Sequence, residues 1–302
     1  QWLWRERAVR YGYHRDMERA AEAGEGQGRA AYWATAVRSI LFDDQGLAPA
    51  PRLVEQHALP LLFQACSANA AAAIEELLST PGIELDLRAT DHIGRTPLKV
   101  ASEHGHAQVV DTLLRLGHAP LLPDDRKASA LMVAAARGRL EVVERLLEEC
   151  PGAEHVFYTV HGETALMLAL RRFHEDVALT LLRVPAVRAE VEERRRLHVG
   201  ADSTAGRPRR YLAAAAYAGL CRAVEALLDH AVYGDCELPA TQEAIFFAIV
   251  ADHAAVLQLL LAHSPDLRTA LVRGKRPLEL AVENHAAGCA MLLQPLVKSA
   301  TD

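Results

Sequence analysis

The sequence predicts an all-α chain of stacked antiparallel helix pairs, and three observations carry that prediction. An apolar anchor recurs at Leu62, Leu98, Leu131, Leu166, Leu212, Ile245 and Leu278, at spacings of 36, 33, 35, 46, 33 and 33 residues. Three residues after every anchor stands an alanine: Ala65, Ala101, Ala134, Ala169, Ala215, Ala248 and Ala281. Fifteen after every anchor stands a leucine: Leu77, Leu113, Leu146, Leu181, Leu227, Leu260 and Leu293. A unit of this length is too thin to bury its own apolar face, so each copy must lean on its neighbours.

Residues 1–57 lie outside this pattern. "WLWRERAVRYGYHRDMERAAEAG" reads as a helix closed by "GEGQG", and "RAAYWATAVRSILFDD" as a second helix before the loop "QGLAPAP". The segment holds Trp2, Trp4 and Trp33 with Tyr11, Tyr13 and Tyr32. It is either a degenerate capping repeat over the first core or an aromatic arm that docks on a partner.

The array then runs over 58–302. In "GRTPLKVASEHGHAQVVDTLLRLG", Thr96 is the N-cap of a first helix and Pro97 takes its first position, where a missing N–H costs nothing. The anchor and positions +3, +4 and +7 share one face at 3.6 residues per turn, and alanine at +3 lets a neighbouring helix approach closely. Position +7 has to turn the chain. Gly105, Gly138, Gly219, Asn69 and Asp252 suit a left-handed conformation there, whereas Phe173 and His285 do not and predict a local adjustment. Val109, Val110, Leu113 and Leu114 then form the apolar stripe of a second helix.

The 46-residue spacing contains an insertion. "PAVRAEVEERRRLHVG" predicts an extra helix over about 185–198. Glu190–Arg194 and Glu192–Arg196, four apart, make it a solvated helix supported by its own charges.

These motifs together resemble the ankyrin repeat, with about seven copies over 58–296. "GRTPLKVASEHGHAQVVDTLLRLG" and "ASALMVAAARGRLEVVERLLEECPGA" are similar to its pattern, and "GETALMLALRRFHEDVALTLL" and "KRPLELAVENHAAGCAMLL" are looser copies. The histidine usual in that family after the anchor leucine is replaced by Lys99, Met132 and Met167. A tetratricopeptide array has a similar period, but its aromatic signature is missing. The resemblance implies an ankyrin-repeat solenoid with an N-terminal helical cap or arm, and a binding surface on the concave face and the hairpin-like tips.

Composition narrows the function. The 302 residues are 51% hydrophobic and 24% charged with a net charge of −6, which suits a folded chain and argues against a general nucleic-acid binder. No apolar run approaches the roughly 20 residues of a membrane span. The odd, scattered cysteines at 66, 150, 221, 236 and 289 predict free, mostly buried thiols in a reducing intracellular compartment. The start at Gln1 rather than Met points to a processed or truncated chain, consistent with a cytoplasmic or a mitochondrial setting. There is no Gly-rich phosphate loop, GxSxG or HExxH, and the histidines clustered near the inter-helix turns (His104, His106, His174, His253, His285) read as solvated loop residues. The expectation is therefore a non-enzyme without cofactor, metal or small-molecule substrate.

Positions +2, +5 and +6 of the first helix are expected to point away from the core. Yet +2 reads Gln64, Val100, Val133, Leu168, Ala214, Phe247 and Leu280, with Met132, Met167 and Phe246 at +1 and Tyr217 and Val250 at +5. An apolar row on a solvent face marks contact, with a partner or with adjacent repeats. Beside it stand Arg137, Arg171 and Arg172, and the tips add Arg126 and Lys127, then Arg207, Arg209 and Arg210, then Arg273, Lys275 and Arg276. Apolar row plus arginine edge predicts a protein-binding scaffold or accessory subunit gripping one or more proteins, with Trp2 and Trp4 as further anchors. The alternative is a ribonucleoprotein component whose basic tips sit on RNA phosphates.

Overall fold

The computed structural model describes residues 51–79, 85–116, 129–149, 163–197, 211–229 and 238–298. Fifteen α-helices lie within them: α1 (Pro51–Ser67), α2 (Ala71–Ser79), α3 (Pro97–His104), α4 (Ala107–Arg115), α5 (Ala130–Ala136), α6 (Leu140–Glu149), α7 (Ala165–Arg171), α8 (Glu175–Leu182), α9 (Pro185–Leu197), α10 (Tyr211–Ala218), α11 (Cys221–Asp229), α12 (Leu238–Val250), α13 (Ala254–His263), α14 (Pro277–Glu283) and α15 (Ala287–Lys298). Among the described residues there is no strand, only a bridge between Val272 and Lys275. The first helix of the array begins at Pro51, so it crosses the boundary the repeat pattern places at 57/58. Residues 1–50, with Trp2 and Trp4, lie outside the described residues.

The chain divides into two compact units, 1–134 with 141–150, and 135–140 with 151–302. In the first, α1 packs on α3 and α2 on α4. In the second, first helices stack on first helices (α7, α10, α12, α14) and second helices on second helices (α8, α11, α13, α15).

The repeated columns are the core of this packing. All seven +3 alanines are at most 1% exposed, and the seven +15 leucines at most 3%. At +4, Cys66, Ser102, Ala135, Leu170, Ala216 and Ile249 are buried, whereas Val282 of the last repeat is 63% exposed. Buried thiols are found at Cys66 and Cys289, and burial followed by the Asp252 carboxylate pushes Cys289 up to about 12.

Helix starts follow the expected caps. The Oγ atoms of Thr96, Ser129 and Thr164 accept from the backbone N–H of Lys99, Met132 and Met167 at 3.4, 3.3 and 3.2 Å. The turns do not all follow expectation. All seven +7 residues, Phe173 (φ 65°) and His285 (φ 56°) included, adopt the left-handed conformation, so no local adjustment occurs. The cause is a bond that closes the turn: the +8 N–H donates to the +3 alanine carbonyl in six repeats, as in His174 to Ala169 at 3.0 Å. That pairing needs a left-handed residue between its ends, and it holds Phe173 and His285 there against a steric cost of about 1–2 kcal/mol.

The inserted helix also departs from expectation. It forms at Pro185, but it is not simply a solvated helix, because Val187, Glu190 and Val191 are buried. The Tyr211 hydroxyl at the start of α10 donates to Glu190 Oε2 at 2.6 Å and lies 2.9 Å from Thr164 Oγ1, the cap of α7. One carboxylate thus ties the insertion to the bases of two successive first helices. Arg194 and the Glu192–Arg196 pair fall outside the described side chains.

A candidate interaction face on the first helices

Repeats are joined at their turns by polar devices. Nε2 of His106, His174 and His253, all at +8, donates to the +5 carbonyl of the preceding repeat: Ser67, Ala136 and Tyr217, at 3.1, 3.3 and 3.2 Å. These three are therefore inter-repeat ties rather than solvated loop residues. Where the +8 residue is not histidine, a carboxylate of the preceding repeat can cap the second helix instead. Glu175 Oε1 accepts from Arg222 N and Ala223 N at 2.8 and 3.2 Å, and Asp252 from Cys289 N and Gly288 N at 2.9 and 3.2 Å.

A second device clips the tip to its own first helix in three repeats. Arg95 at −3 bonds Glu103 at +5 at 2.8 Å. In a later repeat the charges are exchanged, Glu163 to Arg171, and in the last they are Lys275 to Glu283. Arg95 is also gripped by Asp91, whose carboxyl burial alone would raise but which hydrogen bonds from Arg95 and Ile93 hold below the ordinary value.

At +5 the first and third repeats carry the small Ser67 and Ala136 instead, and the repeats built on α10 and α12 carry large apolar side chains. Their +5 residues are Tyr217 and Val250, 43% and 37% exposed. Around Tyr217 an aromatic cluster assembles: its ring meets Phe247 edge-on at 5.9 Å, and Phe247 meets Phe246 at 5.4 Å. The Arg273 guanidinium lies 3.9 Å from the Phe246 ring centroid and 6.0 Å from that of Phe247. Arg273 arrives there from a two-residue hairpin turn in which it (φ 52°) and Gly274 (φ 80°) are both left-handed, closed by Val272 N to Lys275 O at 2.8 Å and Lys275 N to Val272 O at 3.1 Å. Such a turn favours Asn or Asp before the glycine; an arginine held there by stacking on an aromatic ring is a cation–π contact. Glu243 is the only charged residue in α10 and α12.

The residues singled out from the sequence are thus distributed unevenly. Tyr217 and Phe247 come together, though Phe247 is only 4% exposed and forms the floor of the face. The +2 row as a whole is not a solvent face: Val100, Ala214, Phe247 and Leu280 are buried and Gln64, Val133 and Leu168 half-buried. Arg171 is engaged by Glu163, while Arg137 and Arg172 are exposed. Arg126, Lys127, Arg207, Arg209 and Arg210 lie outside the described residues. The placement of Arg273 on Phe246 was beyond sequence reasoning, since 27 residues separate them.

Comparison with known proteins agrees with this architecture. The family models for ankyrin repeats (3 copies) and for the ankyrin repeat match residues 116–193 and 93–125. Over 130 residues, 41% of this chain, the sequence is 33% identical to leucine-rich repeat serine/threonine-protein kinase 1 of Mus musculus, and it spans 6% of that protein's length. The crystal structure of the human ASB11 ankyrin repeat domain superposes with a TM-score of 0.57 at 19% identity, covering 77% of this chain and 96% of that one.

Proposed function

Because the chain is an ankyrin-repeat protein, we propose that it is a non-catalytic protein-interaction scaffold or accessory subunit of a larger assembly, working in a reducing compartment. Repeats of this kind are generally protein-binding modules. The observation that carries the reading here is the exposure of large apolar side chains at +5 in two adjacent repeats. In the repeats of α10 and α12, exposed Tyr217 and Val250 occupy the position that carries the ion-paired Glu103, Arg171 and Glu283 in three other repeats and the small Ser67 and Ala136 in the remaining two. A charge-poor aromatic surface beside an arginine has the composition of an interface core. The hairpin-like tips and the aromatic N-terminal arm extend the same proposal.

The RNA reading rests on the basic tips: Arg126, Lys127, Arg207, Arg209 and Arg210 lie outside the described residues, while within them Arg273 stacks on Phe246, Lys275 pairs with Glu283 and Arg276 is exposed. Affinity isolation of the intact chain, with its partners identified by mass, tests the protein reading. Tyr217→Ala combined with Val250→Ser should deplete one or more protein partners at least about tenfold, while leaving the melting temperature near that of the parent. Retention of every partner by the double variant would remove this face from the reading.

A further inference from the structure

Resting on that reading of the face, we propose that its partner presents a segment in which acidic side chains flank apolar or aromatic anchors. The apolar half of the argument is the surface itself, with Tyr217 and Val250 exposed above the Phe246–Phe247 floor. The acidic half is charge complementarity. The segment 265–276, which carries Arg273 onto that floor, holds Arg268, Arg273, Lys275 and Arg276 against Asp266 alone, in a chain of net charge −6. Nearby acids are already engaged: Glu283 pairs with Lys275, and Glu279 Oε2 accepts the Arg276 backbone N–H at 3.0 Å. Arg268 and Arg276, both exposed, form no ion pair among the described residues, and the same is true of Arg172 after α7. Planar guanidinium groups recognise carboxylates with two parallel N–H donors. A partner segment lacking acids would leave this cationic edge unmatched, and one lacking apolar side chains would leave Tyr217 and Val250 in water.

Selection of a random-peptide display library on the full-length chain, followed by fluorescence anisotropy of the winning synthetic peptides, tests the assignment. Winners should share Asp or Glu beside Leu, Phe or Trp. Replacing those acids by Asn or Gln should weaken binding by about tenfold or more, and Arg276→Glu and Arg268→Glu should each do so by a comparable factor. Both arginines are on exposed surface, and an unchanged urea midpoint confirms that the variants fold. Peptides that lose binding with Tyr217→Ala but show no acid preference would overturn the charge assignment and leave the interaction face standing. Peptides indifferent to both Tyr217→Ala and Val250→Ser would overturn the face itself. Displacement of the peptides by oligouridylate, or concentration-dependent self-association abolished by Val250→Asp, would overturn the proposal in favour of RNA or a second copy.

Discussion

A glycine and a histidine 34 residues apart depend on each other. Gly219 sits at φ 73°, and a Cβ built on it would stand 2.7 Å from Cε1 of His253, whose Nε2 donates to Tyr217 O. Gly138 and His174 repeat the arrangement, at 2.5 Å from Nδ1. Glycine is therefore needed both for the backbone angle and for the ring of the next repeat. Gly219→Ala should cost about 1–2 kcal/mol for the angle and more for the clash, while His253→Ala should cost about 1 kcal/mol for the lost bond. In the double variant the clash is gone, so the summed losses should exceed the measured one by about 1 kcal/mol in urea unfolding; strict additivity would dismiss the contact. The single residues most visible in the sequence were those with one local job, such as Thr96 at its cap. Position +8 histidines were visible but misassigned, because their partners lie 36–39 residues away. The −3/+5 clip was hidden by its own exchange of charge between Arg95–Glu103 and Glu163–Arg171.

Helices were legible as far as their packing is periodic. Alanine and leucine columns mark each pair because burial at +3 and +15 tolerates little else, and the insertion at Pro185 announced itself by its length. The fate of its faces did not, since Glu190 in an i, i+4 pattern looks the same whether it meets solvent or the Tyr211 hydroxyl. Likewise +2 points outward on one isolated helix, yet Val100, Ala214, Phe247 and Leu280 are buried. Capping between repeats gives these elements a measurable pH signature. Asp252 accepts from the Cys289 and then the Gly288 N–H at the start of α15, and those bonds lower its pKa from 3.8. A carboxyl depressed in the folded state stabilises above its unfolded value, and that contribution is lost as the pH falls through the folded value. Asp252→Asn, which keeps a side chain tolerant of φ 55°, should lower the thermal midpoint at neutral pH. The gap to the parent should narrow once the pH drops below 3.8; a gap that is constant down to strong acid would show that the charge plays no part.

At the scale of the whole chain, charge is segregated rather than diluted. Thirty-three Lys and Arg stand against thirty-nine Asp and Glu, yet α10 and α12 hold one charged residue between them and the 265–276 segment is strongly basic. In the proposed interface the aromatic floor would supply area and the arginines selection, a division in which charge steers and apolar contact holds. This fixes how binding should respond to salt. Contacts to a few carboxylates at a protein rim are screened modestly, whereas a nucleic acid neutralised by many basic side chains releases its counterions, losing about 10³–10⁵ in affinity between 50 and 200 mM salt for 6–10 phosphate contacts. Isothermal titration of an isolated partner over that range should therefore show a loss of no more than about tenfold. Its heat-capacity change should be negative, as burial of Tyr217 and Val250 requires. A steep salt slope with no heat-capacity change would transfer the function from the aromatic face to the basic tips.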